Sequence, residues 1–196
     1  MYDYIKGELA ELTPTEVVIE NNQIGYKLLI SLQTYSQLKR DTDCKLFIYH
    51  HLREDTEQLY GFFNKEERSL FCHLIEVSGI GPNTARMMLS SMSSEEIRNA
   101  IITGDVNRLK SIKGIGLKTA QRMLIDLKDK IGKSSTGDTV AQYLPGTSGK
   151  QREEASSALI LLGFSKSNVD KVLDSLIKEN PSHTLEELIK LSLKRL

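Results

Sequence analysis

Apolar and polar residues alternate along the first third of the chain. Tyr4 to Leu12, Glu16 to Glu20 and Ile24 to Ser31 carry the two-residue period of half-buried strands. Thr-Pro and Asn-Asn-Gln turn signals separate them. Leu32 to Leu38 predicts a short helix. Lys45 to His51 and Gln58 to Phe63 predict two more strands, joined through Arg53-Glu54-Asp55-Thr56. Five short strands and one small helix suit a small barrel of the OB type over residues 1–63.

At Asn64 the period lengthens. Asn64 followed by Glu67 has the spacing of a capping box, and Leu70, Phe71, Leu74 and Ile75 then recur at helical spacing. Gly81-Pro82 opens another helix, with proline at a tolerated first position. Ser93 and Glu96 cap a third, and Gly104 suits its end. Helical signals continue to Lys130, giving five short helices over residues 64–131. Residues 132–150 contain Gly132-Lys133-Ser134-Ser135-Thr136-Gly137 and Pro145-Gly146-Thr147-Ser148-Gly149, a composition that predicts a flexible linker. Residues 151–196 predict a three-helix bundle. Its helices are Arg152 to Leu162, Ser167 to Glu179, and one opened by the Thr184/Glu187 capping-box spacing. Ala155, Ala158, Leu159 and Leu162 fit its core. The fold class is therefore multidomain α+β.

One small motif is written twice in the middle region. Val77-Ser78-Gly79-Ile80-Gly81-Pro82-Asn83-Thr84-Ala85 matches Ile112-Lys113-Gly114-Ile115-Gly116-Leu117-Lys118-Thr119-Ala120 at a constant offset. Each copy reads as apolar helix, Gly-Ile-Gly turn, second helix. Such a turn presents a helix N-terminus whose free N–H groups suit a phosphate oxygen. Two copies would hold two backbone phosphates, one on each strand of a duplex. Ile80 and Ile115 would pin the turns into the core. The candidate phosphate-binding residues are Gly79, Gly81, Asn83, Thr84, Gly114, Gly116, Lys118, Thr119 and Arg122. Lys118 and Arg122 lie four apart and share a helix face. A dinucleotide site fits less well, because Thr84 and Thr119 stand where the third glycine belongs and no strand precedes either motif.

Charge agrees with this reading. The chain of 196 residues has a formal net charge of zero. Residues 1–63 nevertheless hold six basic and ten acidic residues, residues 64–133 twelve basic and eight acidic, and residues 134–196 eight of each. The positive excess falls on the segment with the repeated turns, where local potential acts on a polyanion. Phosphate contacts position a protein without reading bases, so binding should be sequence-independent and salt-sensitive. No apolar run is long enough to span a bilayer, and Met1 is followed by Tyr-Asp-Tyr rather than a basic region and an apolar stretch. A cytoplasmic protein with no membrane partner is expected. Cys44 and Cys72 lack metal-ligand spacing, so neither a zinc site nor a disulfide framework is expected.

The repeats resemble paired helix-hairpin-helix motifs of DNA-binding proteins. Tyr4-Ile5-Lys6-Gly7, Gly25-Tyr26, Arg53-Glu54-Asp55, Leu59-Tyr60-Gly61-Phe62, Phe71-x-x-Leu74-Ile75, Gly79-Ile80-Gly81-Pro82 and Gly114-Ile115-Gly116-x-Lys118-Thr119-Ala120 together resemble the RuvA family, the Holliday-junction-binding subunits of the bacterial branch-migration complex. The resemblance covers essentially the whole chain. It implies an OB-fold barrel, a tandem helix-hairpin-helix domain and a tethered three-helix (UBA-like) C-terminal domain. It implies a homotetramer, or an octamer of two tetramers on DNA, that holds a four-way junction open and flat. It also implies recruitment of the RuvB motor through the C-terminal domain, with the RuvC resolvase in the same complex. The acidic pair Glu54 and Asp55 corresponds to the family's pin at the junction centre. Carboxylates there would repel phosphates and keep strands apart. Ile160 and Leu161 extend the apolar surface of the first C-terminal helix and are the candidate partner-binding positions, a helix buried all round being the alternative. Two departures stand out. Asn83 occupies a position often lysine in the family, and Leu117-Lys118 replaces a frequent Lys-Lys pair. Fewer released counterions and a shallower salt dependence should follow.

Catalysis has little support in the residues. Gly132-Lys133-Ser134 resembles a Walker A ending, but Leu127 stands where the required glycine belongs. His50, His51, His73 and His183 are scattered. No catalytic residue, metal ligand or cofactor is assigned, and ATP hydrolysis would belong to the motor. The alternative is a helix-hairpin-helix repair nuclease, or its accessory subunit, with Glu54 and Asp55 as metal ligands. A protein-interaction scaffold whose glycine turns contact no DNA is a third class.

Overall fold

The structure, a computed structural model, describes residues 2–39, 42–134 and 148–196. The chain divides into two compact units, Met1–Thr139 and Val140–Leu196.

The first unit begins with strands β1 (Tyr4–Leu12), β2 (Glu16–Asn21), β3 (Ile24–Ile30), β4 (Asp43–Leu52) and β5 (Glu57–Phe62). They close into a barrel in the order β1-β2-β3-β5-β4, with β4 returning to β1. Every pairing is antiparallel except β3 with β5. The alternation seen in the sequence is the reason. Ile5, Leu9, Val17, Ile19, Leu28, Ile30, Leu46 and Ile48 point inward and form one core cluster. Asn22 and Gln23 make the two-residue β2–β3 turn, both with positive φ (50° and 65°). Helix α1 (Leu32–Gln37) fills the β3–β4 connection and is capped by Ser31.

Among the described residues, five helices complete this unit: α2 (Lys65–Glu76), α3 (Pro82–Ser91), α4 (Ser94–Thr103), α5 (Val106–Lys110) and α6 (Leu117–Ser134). Their core runs from Leu70, Phe71 and Leu74 through Met88, Leu89 and Ile97 to Met123 and Leu127. Tyr60 and Phe62 of β5 belong to it as well. The Phe62 and Phe71 ring centroids lie 4.8 Å apart and those of Tyr60 and Phe71 5.3 Å apart, so aromatic packing joins barrel to helices. Ser93 and Glu96 form a full capping box, and Gly104 ends α4 at φ 76°. The expected box at α2 is only half made. Asn64 accepts from the Glu67 N–H at 2.8 Å, but the Glu67 side chain turns away to the α1 hydroxyls instead of returning to the cap. Burial decides this, since Glu67 is fully enclosed and needs donors inside the core.

The second unit holds α7 (Ser148–Leu161), α8 (Lys166–Glu179) and α9 (Leu185–Leu193) around Ala155, Leu159, Val169, Leu173, Leu176 and Leu188. The Thr184/Glu187 capping box is present. Leu162, expected in this core, is exposed instead. α7 ends at Leu161, and Gly163 at φ 101° turns the chain so that the Phe164 N–H reaches the Leu159 carbonyl at 3.2 Å. Phe164, after the turn, packs against this core and is partly buried. Helix occupies both ends of the segment read as a linker, through Ser134 and from Ser148. Residues 135–147 lie outside the described residues. Among the described residues, no helix is long and apolar enough to cross a membrane.

Candidate nucleic-acid interface

The two glycine turns are copies in three dimensions as well as in sequence. In the first, the Ile80 N–H meets the Val77 carbonyl at 3.0 Å and the Ala85 N–H meets Gly81 at 2.9 Å. In the second, Ile115 meets Ile112 at 3.1 Å and Ala120 meets Gly116 at 2.9 Å. Ile80 and Ile115 are buried and anchor each loop. Gly79 and Gly114 adopt φ of 95° and 91°, a conformation that disfavours any side chain.

Gly81 and Gly116 are glycines for another reason. Gly81 caps α3 with φ −90°, which any residue adopts. A Cβ at either position meets nothing within 4 Å. The protein's own packing therefore does not require glycine there; the space in front of the helix ends is left open. A glycine cap has no side chain to satisfy the first-turn N–H groups. Asn83 and Thr84 present theirs at the first helix, and Leu117, Lys118 and Thr119 at the second. Pro82 has no N–H, so the first end offers one donor fewer.

The turns sit side by side. The Arg122 guanidinium lies 3.4 Å from the Ser78 hydroxyl, which places its charge between them. The Thr119 hydroxyl is 3.8 Å from where a Gly79 Cβ would be, and the Met87 methyl is 3.8 Å from the equivalent point at Gly114. Lys118 is exposed, whereas Thr84 and Thr119 are half-buried.

The β4–β5 hairpin reaches the same neighbourhood. Its turn is closed by the Arg53 N–H to the Thr56 carbonyl at 2.8 Å. Asp55 lines a groove of about 450 Å³ together with His51, Arg53, Gln58, Tyr60 and the Gly81–Thr84 segment. The Tyr60 hydroxyl, its pKa raised by burial, donates to Gln58 Oε1 at 3.0 Å and lies 3.4 Å from Asn83 Oδ1. Glu54 is exposed at the tip and does not line the groove. Among the described residues, no group of three or more His, Cys, Asp or Glu could hold a metal ion.

Comparison with known proteins bears on this arrangement. Residues 1–61 match the family model described as RuvA N terminal domain, residues 71–129 the SAM-like helix-hairpin-helix tandem, and residues 150–196 the RuvA C-terminal domain. A Bacteroides fragilis protein is 49% identical over 201 residues, covering all of both chains, and bears the name Holliday junction branch migration complex subunit RuvA. A Bacteroides thetaiotaomicron protein of the same name is 50% identical over 203 residues, again covering all of both chains. The chain belongs to the RuvA family. A Flavobacterium psychrophilum RuvA, 46% identical over 196 residues with full coverage of each chain, extends the likeness beyond one genus.

Within this RuvA fold, the nine residues singled out at the turns fall in two adjacent loops and the helices they open. Asp55 joins the first of these loops across the groove. His51, Arg53, Gln58 and Tyr60 were not among the binding residues read from the sequence, although the alternation of β5 puts Gln58 and Tyr60 on one face. Ile160 and Leu161 belong to the second unit. They stand 39% and 88% exposed at the end of α7, beside Leu162 at 62%.

Proposed function

We propose that this chain binds four-way junction DNA through phosphate contacts at the paired turns, without base readout, and holds the junction open and flat as a homotetramer. The observation that carries the reading is the open space in front of Gly81 and Gly116. Two helix ends lie side by side, each stripped of any capping side chain, in the segment with net positive charge. Backbone N–H groups there approach phosphate oxygens closely, and Lys118 and Arg122 add ionic attraction. The Glu54/Asp55 tip supplies negative charge next to this cationic surface, which suits keeping exchanging strands apart. The names borne by the relatives agree with a branch-migration role. The chain itself supplies no catalytic group; ATP hydrolysis resides in a RuvB partner. That partner docks on the exposed Ile160–Leu161–Leu162 ridge. A cytoplasmic location and a joint complex with RuvC follow from the same family reading.

Mobility-shift titration of a four-way junction against linear duplex of equal length tests this, with native mass of the bound species. Preferential junction binding by a tetramer, weakening as salt rises, is expected. Equal affinity for both DNAs, or no binding at low salt, overturns the proposal.

A further inference from the structure

The recognition surface just described uses the barrel's acidic tip and the helical turns together, so their separation matters. One buried group holds the two layers in register. Glu67, on the first turn of α2, is fully buried yet acidic. Its Oε1 accepts from the Ser31 hydroxyl at 2.5 Å, and its Oε2 from the Thr34 hydroxyl at 2.7 Å and the Phe63 N–H at 3.4 Å. Ser31 is also the N-cap of α1, accepting from the Thr34 N–H at 3.0 Å. A relay therefore runs from the α1 backbone through Ser31 to the α2 carboxylate.

We infer that Glu67 is a positioning residue, a buried latch between α1 of the barrel and α2 of the first hairpin. On the junction-binding reading above, it fixes the distance from the Glu54/Asp55 tip to the phosphate-binding turns. The argument rests on chain geometry. α2 leads directly into the Gly79–Gly81 turn, and β5, which begins at the acidic tip, runs into Phe63 and the α2 cap. Glu67 bonds the residue at that corner, the hydroxyl of the α1 cap Ser31 and the hydroxyl of Thr34 within α1. The α1 end is then tied onward to the helical layer, since the Leu32 N–H meets Ser90 Oγ and the Ser94 N–H meets Gln33 Oε1, each at 3.1 Å. Arg68 and Arg86 also bridge the layers, to Asp3 and to the Thr15 carbonyl, but at exposed sites where water replaces a lost partner. At Glu67 water has no access, and an apolar replacement strands two hydroxyls inside the core.

The test compares Glu67→Ala, Glu67→Gln and the full wild-type chain. Glutamine can accept at one position and donate at the other, so it should retain the latch. Each variant is titrated with linear duplex and with a four-way junction, and arm angles of the bound junction are read by energy transfer between labelled arms. In Glu67→Ala, duplex affinity stays near wild type because the turns themselves are intact. Junction affinity falls about tenfold, the scale expected when fixed groups lose alignment, and arm angles broaden. Glu67→Gln restores both. Where Glu67→Ala is too unstable to assay, Thr34→Val, which removes one hydroxyl of the same node, should shift the junction-to-duplex ratio in the same direction. An unchanged ratio in the folded variants, or equal losses on both DNAs, overturns the latch. Failure of the wild-type chain to prefer junctions overturns the junction reading instead.

Discussion

At the scale of single residues, glycine serves two purposes in each turn, and substitution separates them. Gly79→Ala and Gly114→Ala force a side chain into positive φ and should each cost about 1–2 kcal/mol of stability in chemical denaturation. At Gly81 and Gly116 an added Cβ meets neither strain nor neighbours, so Gly81→Leu and Gly116→Leu start in open space. The double variant should keep its melting temperature while junction affinity drops about tenfold or more, as charged-acceptor hydrogen bonds are lost. Asn83→Lys should tighten binding and steepen the logarithmic salt dependence by about one. Glu67 makes a pH prediction. Burial raises its carboxyl pKa above the ordinary value, opposed by the bonds from Ser31, Thr34 and Phe63. The folded state thus holds this proton more tightly than the unfolded one. Stability relative to Glu67→Gln should be greatest in acid, fall as pH rises through the folded-state pKa, and level off above it. Denaturation curves of the two proteins across that range supply the check.

At the scale of elements, local rules carried far. The alternation from Tyr4 to Phe62 located all five strands, and the Asn-Asn-Gln signal marked the turn at Asn22 and Gln23. Ser93/Glu96 and Thr184/Glu187 were legible as caps because both partners lie within one turn and face solvent. Asn64/Glu67 has the same spacing but a different outcome, because the competing donors come from α1, more than thirty positions away. Leu162 was expected in the core as the last residue of its helix, but α7 ends one residue earlier and the side chain is exposed. Groove residues such as His51 and Gln58 were invisible for a related reason: their company with Gly81–Thr84 exists only after β5 packs on α2. Removing an element's anchor should be costly. Leu127→Ala empties a fully buried position on α6 and should destabilise by about 2–5 kcal/mol, measured by denaturant titration.

At the scale of the whole molecule, the two units have separate cores, and on the proposed function they divide the labour. Leu161→Asp alters an exposed side chain of the second unit, so it should leave junction affinity unchanged while abolishing stimulation of the RuvB motor, assayed by junction unwinding with ATP. The open ground before Gly81 and Gly116 has a consequence for how such a protein is inherited. Selection for heat survival alone would be blind to both sites and would let alanine and bulkier residues accumulate there, while policing Gly79 and Gly114 strictly. Only selection through DNA would return the second glycine of each pair. A randomised library grown under the two regimes should therefore part company at those two codons and agree at their neighbours.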